Sequence, residues 1–263
     1  MADYIARYSQ TINDMVLSQS EMQTNARYIY NYLRSKYGWT IQATAGLLAN
    51  AEAESTINPA RPQNNAMRNR WWPSCPGYTG DAPVPTQTHY GFGLFQITPY
   101  MALSTTSSKY NPHTMGNWLY ARGYTASWAT GGTMGQMDPQ LDWFCSGEPE
   151  APFYNTADPT HSQAKWYDNK NNSPLRAATI AIYSKLTDSP EDCAATFYWN
   201  FERSEAQGTG NRTTLGRKWY NFLSGEDPGP DPPDPPDPPE PIRKSTLIWG
   251  GKHVWRKLPQ LRR

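Results

Sequence analysis

Apolar residues recur at helical spacing through most of the first 225 positions, separated by capping residues, prolines and glycines. Met22, Ala26, Ile29 and Leu33 form one stripe, opened by a capping box of Ser20 with Gln23 and stopped by Gly38. Thr40 caps a second helix carrying Ile41, Ala45 and Leu48, so the two helices are expected to be packed neighbours. Pro59 drives Asn58 out of the helical region and ends that helix near Ser55 to Ile57. Thr98-Pro99 starts a further helix. Asp138 caps another, with Pro139 in its first turn and Leu141, Phe144 and Cys145 on its face. Ser173-Pro174 predicts a helix with Leu175, Ala178, Ile182 and Leu186 on one side. Ser189-Pro190 opens the next, whose stripe is Cys193, Phe197 and Phe201, and a last helix carries Leu215, Trp219, Phe222 and Leu223 up to Gly225. Between the helical stretches, Thr88 to Ile97 gathers aromatic and β-branched residues around two glycines and reads as a short hairpin. Residues 60–88 form a long loop around Trp71-Trp72, and residues 1–19 give no firm element. The expected fold is mainly α with a small β-hairpin lobe.

The pattern changes at Gly225. Asp227 to Pro241 repeats Pro and Asp and has few backbone donors for a helix or sheet, which predicts polyproline II. At about 3.1 Å per residue it makes a semi-rigid spacer of roughly 45 Å. Residues 242–263 carry seven Lys or Arg and no acid, interleaved with Leu247, Ile248, Trp249, Val254, Trp255 and Leu258. So short a segment does not build a core, and it reads as a docking tail. The expected division is therefore a domain over 1–225, a Pro/Asp-rich spacer over 226–241 and a basic aromatic tail over 242–263.

Composition adds exclusions more than assignments. A net charge of +1 gives no global attraction to nucleic acid. No run approaches a membrane span, and the N-terminus lacks the apolar region of a secretory signal, so synthesis in the cytoplasm and export by virion assembly or lysis is expected. Cys75, Cys145 and Cys193 make no disulfide framework, and four scattered histidines give no metal spacing, so neither a metal nor another cofactor is expected. Eleven Trp and 17 Tyr against seven Phe suit stacking on sugars as well as ordinary core packing.

The candidate chemistry sits at the end of the second helix. Glu54 falls in its last turn, where the C-terminal dipole raises a carboxyl pKa toward that of a proton donor. Glu52 lies about 200° away around the helix axis, so the two cannot face one cleft, and spacing does not choose between them. Gln96 is the polar member of an apolar run and suits either a substrate amide or a buried, backbone-satisfied site. Gly91-Phe92-Gly93 lacks the third glycine of a dinucleotide fingerprint and opens no helix. Cys145 with His161 lacks a third group, and Cys145 and Cys193 read as core residues.

Glu54-Ser55-Thr56-Ile57-Asn58-Pro59, followed by Gly91-Phe92-Gly93-Leu94-Phe95-Gln96, resembles the goose-type lysozyme and lytic transglycosylase superfamily. More narrowly, it resembles the tail lysozymes of bacteriophages, with supporting matches at Ser20-Glu21-Met22, Asp138-Pro139-Gln140-Leu141 and Phe201-Glu202-Arg203, and it covers most of residues 20–224. The resemblance implies a lysozyme-like domain that cleaves peptidoglycan on a virion. It selects Glu54 as general acid, leaving Glu52 as a solvated or capping carboxylate. Gln96, Tyr90, Phe95 and Tyr198 become candidate substrate-binding residues, and Glu202 and Asp81 candidate second carboxylates. Hydrolase and lytic transglycosylase chemistry both remain open, as do a lysis endolysin and a weakly active, wall-binding tail component. Through residues 242–263 the expected partner is another virion tail protein rather than nucleic acid.

Overall fold

A computed structural model describes residues 4–9, 12–62, 91–97, 112–124, 133–150, 166–202 and 208–225. Among them are seven α-helices: α1 (Gln19–Tyr37), α2 (Ile41–Ser55), α3 (Met115–Tyr120), α4 (Met137–Cys145), α5 (Ile180–Tyr183), α6 (Pro190–Phe197) and α7 (Arg212–Ser224). A π-helical turn over Tyr198–Glu202 continues α6. The helix expected at Thr98, the long loop with Asp81 and Tyr90, the spacer and the basic tail lie outside the described residues.

α2 is the axis of the molecule. Every residue from Ala43 to Ala51 is buried, so over that stretch the helix has no solvent face. Its small side chains let neighbours approach closely, and it packs against α1, α6 and α7. At Gly46 a Cβ would lie 2.7 Å from the Cys193 carbonyl carbon and would collide with the Tyr183 hydroxyl. Any larger residue there separates α2 from α6. On the other side of the core, Phe144 of α4 meets Phe95 at 5.2 Å, Phe197 at 5.5 Å and Phe201 at 5.1 Å between ring centroids.

Several boundaries differ from the sequence pattern. α1 starts two residues early because Ser18, not Ser20, closes the capping box, with Glu21 in place of Gln23. The predicted stripe of α1 is buried as expected, and Gly38 ends the helix in the left-handed conformation. Asp138 does not cap α4; its carboxylate accepts a hydrogen bond from the Tyr28 hydroxyl at 2.5 Å. The helix expected from Ser173 shrinks to the single turn of α5, where Ile180 and Tyr183 face inward, as does Ala177 before it, while Ile182 is exposed. Competing side chains explain this: the Ala177 carbonyl accepts from Trp166 Nε1 and Asn200 Nδ2, and the Ile180 N–H donates to Glu150. Where the hairpin is expected, the described residues carry no strand, only two isolated antiparallel bridges, Phe92 with Ile97 and Pro62 with Phe92.

The N-terminal stretch, unreadable as a pattern, braces the end of α2. Thr56 and Ile57 both have positive φ, 56° and 58°, which costs β-branched residues on the order of 1–3 kcal/mol each. Asn58 Nδ2 donates to the carbonyls of Arg7 and Met15, both at 2.8 Å, and Asn25 Nδ2 donates to those of Ile5 and Ile57 at the same distance. The Leu17 N–H donates to Thr56 Oγ1 at 3.1 Å. These bonds over-determine the strained corner immediately after Glu54.

Candidate active site

Two short motifs meet at the C-terminal end of α2. Ser55, beside Glu54, donates its hydroxyl to the carbonyl of Leu94 at 2.9 Å, so the Glu-Ser pair is fastened to the Gly-Phe-Gly-Leu-Phe-Gln turn. That turn is held in place by Gln140 of α4. Its Oε1 accepts from the Leu94 N–H at 3.0 Å, while its Nε2 donates to the carbonyls of Pro59 and Met134. Gly93 is required twice over. Its φ is 81°, and a Cβ would lie 2.9 Å from Gln140 Cδ and closer still to Oε1.

Glu54 lies in the last turn of α2, its side chain 25% exposed. It forms an ion pair with Arg212, the first residue of α7, whose side chain is 8% exposed. Burial is the largest influence on the Glu54 carboxyl and raises its pKa above the usual glutamate value, against the opposing charges of Arg212 and Arg61. Arg61 is itself partly buried, which lowers its pKa, while Glu54 acts in the opposite direction. The shift expected from the helix dipole thus has desolvation as its main source.

A small set of contacts places the two arginines. Arg212 lies with its guanidinium carbon 4.7 Å from the ring centroid of Tyr198, on the π-helical turn. The Arg61 carbonyl accepts from the Gly93 N–H at 2.9 Å and from Gln96 Nε2 at 2.8 Å. Gln96 has φ of 48°, and its amide also donates to the Gly93 carbonyl. Through its Nε2, Gln96 therefore fixes the backbone that presents Arg61.

The other candidates are distributed as follows. Phe95 is 2% exposed within the aromatic core and Tyr198 is fully buried behind Arg212, so both rings are engaged in packing. Glu202 ends the π-helical turn that carries Tyr198. Tyr90 and Asp81 lie outside the described residues, as does His161. Burial comes first in raising the thiol pKa of Cys145 and in pushing that of Cys193 up to about 12, and neither resembles an activated nucleophile. Glu52, expected to be solvated or capping, instead accepts from Lys218 of α7 at 2.8 and 3.0 Å. Among the described residues no group of three metal-ligating side chains is present, and no helix is long and apolar enough to cross a membrane.

Arg61 and Arg212 were not legible as site residues. Arg212 did leave a trace, because a cation at the first position of a helix opposes the macrodipole and needs a local reason. Arg61 left none.

Over 212 residues the chain is 29% identical to Morphogenesis protein 1 of Bacillus phage B103. The match covers 80% of this chain and 42% of that protein, so the chain spans less than half the length of this relative. The family model for phage tail lysozymes matches residues 24–223, which include the Glu54 motif, the Gln96 turn and all but the last residue of α7. The chain belongs to the phage tail lysozyme family.

Proposed function

We propose that the protein is a virion-associated peptidoglycan glycosidase, with Glu54 as its general acid. It cleaves the linkage from N-acetylmuramic acid to N-acetylglucosamine in the bacterial wall, as part of a phage tail during genome delivery. The observation that carries this reading is the Glu54 carboxyl at a helix end, desolvated enough that its pKa rises despite an adjacent guanidinium. A carboxylic acid in that state donates its proton to the glycosidic oxygen as the bond to the sugar breaks. The strained corner at Thr56–Ile57 and the Ser55–Leu94 bond hold the acid in place during that transfer. Family membership supports the lysozyme class, and the name of the Bacillus phage B103 relative, Morphogenesis protein 1, supports a role in the virion.

The test is digestion of purified peptidoglycan by the full chain and by Glu54→Gln, followed by mass spectrometry of the soluble fragments. The wild type is expected to release fragments ending at N-acetylmuramic acid, with reducing ends marking hydrolysis and 1,6-anhydro ends marking transglycosylation. Release at the wild-type rate by the folded Glu54→Gln chain would remove Glu54 from the mechanism.

A further inference from the structure

Two guanidiniums act on one carboxylate at the end of α2. Arg212 is 7% exposed, and its Nε has no hydrogen-bond partner among the described residues although the atom is buried. A desolvated cation with an unused donor is costly unless an anion completes it. Arg61 adds a second, only partly buried guanidinium. Its backbone is fixed by Gln96 and Gly93, yet among the described residues its guanidinium has no hydrogen-bonded partner. The other charges on α2, α6, α7 and the π-helical turn are the Lys218–Glu52 and Arg217–Glu191 pairs, each matched internally, Asp192, which accepts from the Ser189 hydroxyl, and Glu202 at the end of the π-helical turn.

We infer that Arg61 and Arg212 form a carboxylate-binding subsite beside Glu54, which takes an anionic group carried by the muramic acid unit and draws Arg212 off Glu54. This rests on the reading of Glu54 as the acid of a peptidoglycan glycosidase. Guanidinium forks match carboxylates in geometry and charge, and peptidoglycan supplies them in two places: the lactyl ether of muramic acid and the peptide stem attached to it. An incoming carboxylate replaces Glu54 as the partner of Arg212 and adds negative charge nearby. Both changes favour the protonated form of Glu54, which takes its proton from solvent. The acid is then loaded when substrate is seated, and in the resting enzyme Arg212 holds it toward the ionised form.

The experiment uses the full chain and four probes: chitobiose, a muramic acid disaccharide with a free lactyl carboxylate, the same disaccharide with that group amidated, and one bearing a stem peptide with a free carboxylate. Calorimetry measures binding, and carbon-detected NMR titration follows the Glu54 carboxyl, assigned by its absence in Glu54→Gln. The expected result is tighter binding of a carboxylate probe than of the neutral ones, with a rise in the Glu54 pKa on binding of the carboxylate probe. Whether the lactyl or the stem probe produces it identifies the source of the anion. Arg61→Gln should weaken binding of that probe by roughly ten- to a hundredfold. It should leave chitobiose binding and the melting temperature unchanged, and Arg61→Lys should recover part of the loss. Equal affinity for charged and neutral probes, or an Arg61→Gln chain that still prefers the carboxylate, overturns the subsite. Wall clearance by Glu54→Gln overturns the reading beneath it instead, so the two failures are distinct.

Discussion

Asp142 and Glu54 both face cations, and they respond in opposite directions. Asp142 on α4 accepts hydrogen bonds from Lys36 at 2.7 and 2.9 Å and from the hydroxyls of Tyr32 and Tyr37 at 2.6 and 2.7 Å. Burial pushes its carboxyl pKa up, but the three donors outweigh it and the value falls below the ordinary aspartate range. Glu54 has a guanidinium partner and a second arginine nearby, yet for it burial wins and the pKa rises. What separates the two is the number of donors aimed at the charged form, set against the extent of desolvation. Asp142 is a fixed anion that ties α1 to α4, while Glu54 is shifted toward its protonated form.

Breaking each carboxylate separates these roles. Glu54→Gln should reduce wall-clearing activity by about 10² to 10⁴, the usual contribution of a general acid. At pH near 4.5 its melting temperature should move little, because the amide preserves shape and still accepts from Arg212. Asp142→Asn should do the reverse, losing about 2 kcal/mol of stability as charge-assisted bonds to Lys36 and two tyrosines weaken, with activity retained by the folded fraction. Denaturant titration of both variants alongside rate measurements would check the pair. Similar losses of activity at equal stability would erase the contrast.

The pH dependence sharpens the comparison, since the signs are opposed. For Asp142 the folded-state pKa is depressed, so its stabilisation is present above the ordinary value of 3.8 and is lost as pH falls through the folded-state pKa. For Glu54 the folded-state pKa is raised, so its contribution is present below the ordinary value of 4.5 and is lost as pH rises through the folded-state pKa. The melting temperature of Glu54→Gln relative to wild type should therefore climb as pH increases above 4.5, whereas that of Asp142→Asn should approach wild type as pH falls below 3.8. Parallel slopes for the two variants would mean that desolvation does not distinguish them.

Smaller effects are expected away from both sites. Glu52→Gln should cost less than about 1 kcal/mol, because its partner Lys218 is partly exposed and also donates to Gln19. The rate should stay near that of wild type, and a loss as large as that of Glu54→Gln would show that the wrong acid has been assigned. Smallest of all should be truncation after residue 225, which removes the Pro/Asp-rich stretch and the basic tail but none of the buried stripes. Melting and wall clearance by residues 1–225 should match those of the full chain, while any binding to tail assemblies through 242–263 is lost.

Helix existence was legible wherever one apolar stripe and a cap agreed, as in α1 with Gly38, α2 with Thr40 and α6 with Ser189-Pro190. Where several short polar side chains competed for the same backbone groups, the pattern misled, as at Ser20, Asp138 and Ser173. Local sequence carries no record of Glu150 or Asn200 reaching across to bond the α5 region.

Within the site, the sequence by itself determined that Glu54 ends a helix and that a glycine-rich turn follows it. Both are consequences of chain stereochemistry: proline restricts the residue before it, and glycine tolerates positive φ. Only the tertiary structure decided what surrounds the acid. Arg212 reaches Glu54 across 158 positions, Ser55 reaches Leu94 across 39, and Gln140 reaches Leu94 across 46. The same packing put Phe95 and Tyr198 behind the site and brought Arg61 and Arg212 to it. Desolvation and opposing charge depend on which distant segments become neighbours, and that is fixed by how α7 and the Gln96 turn pack around α2.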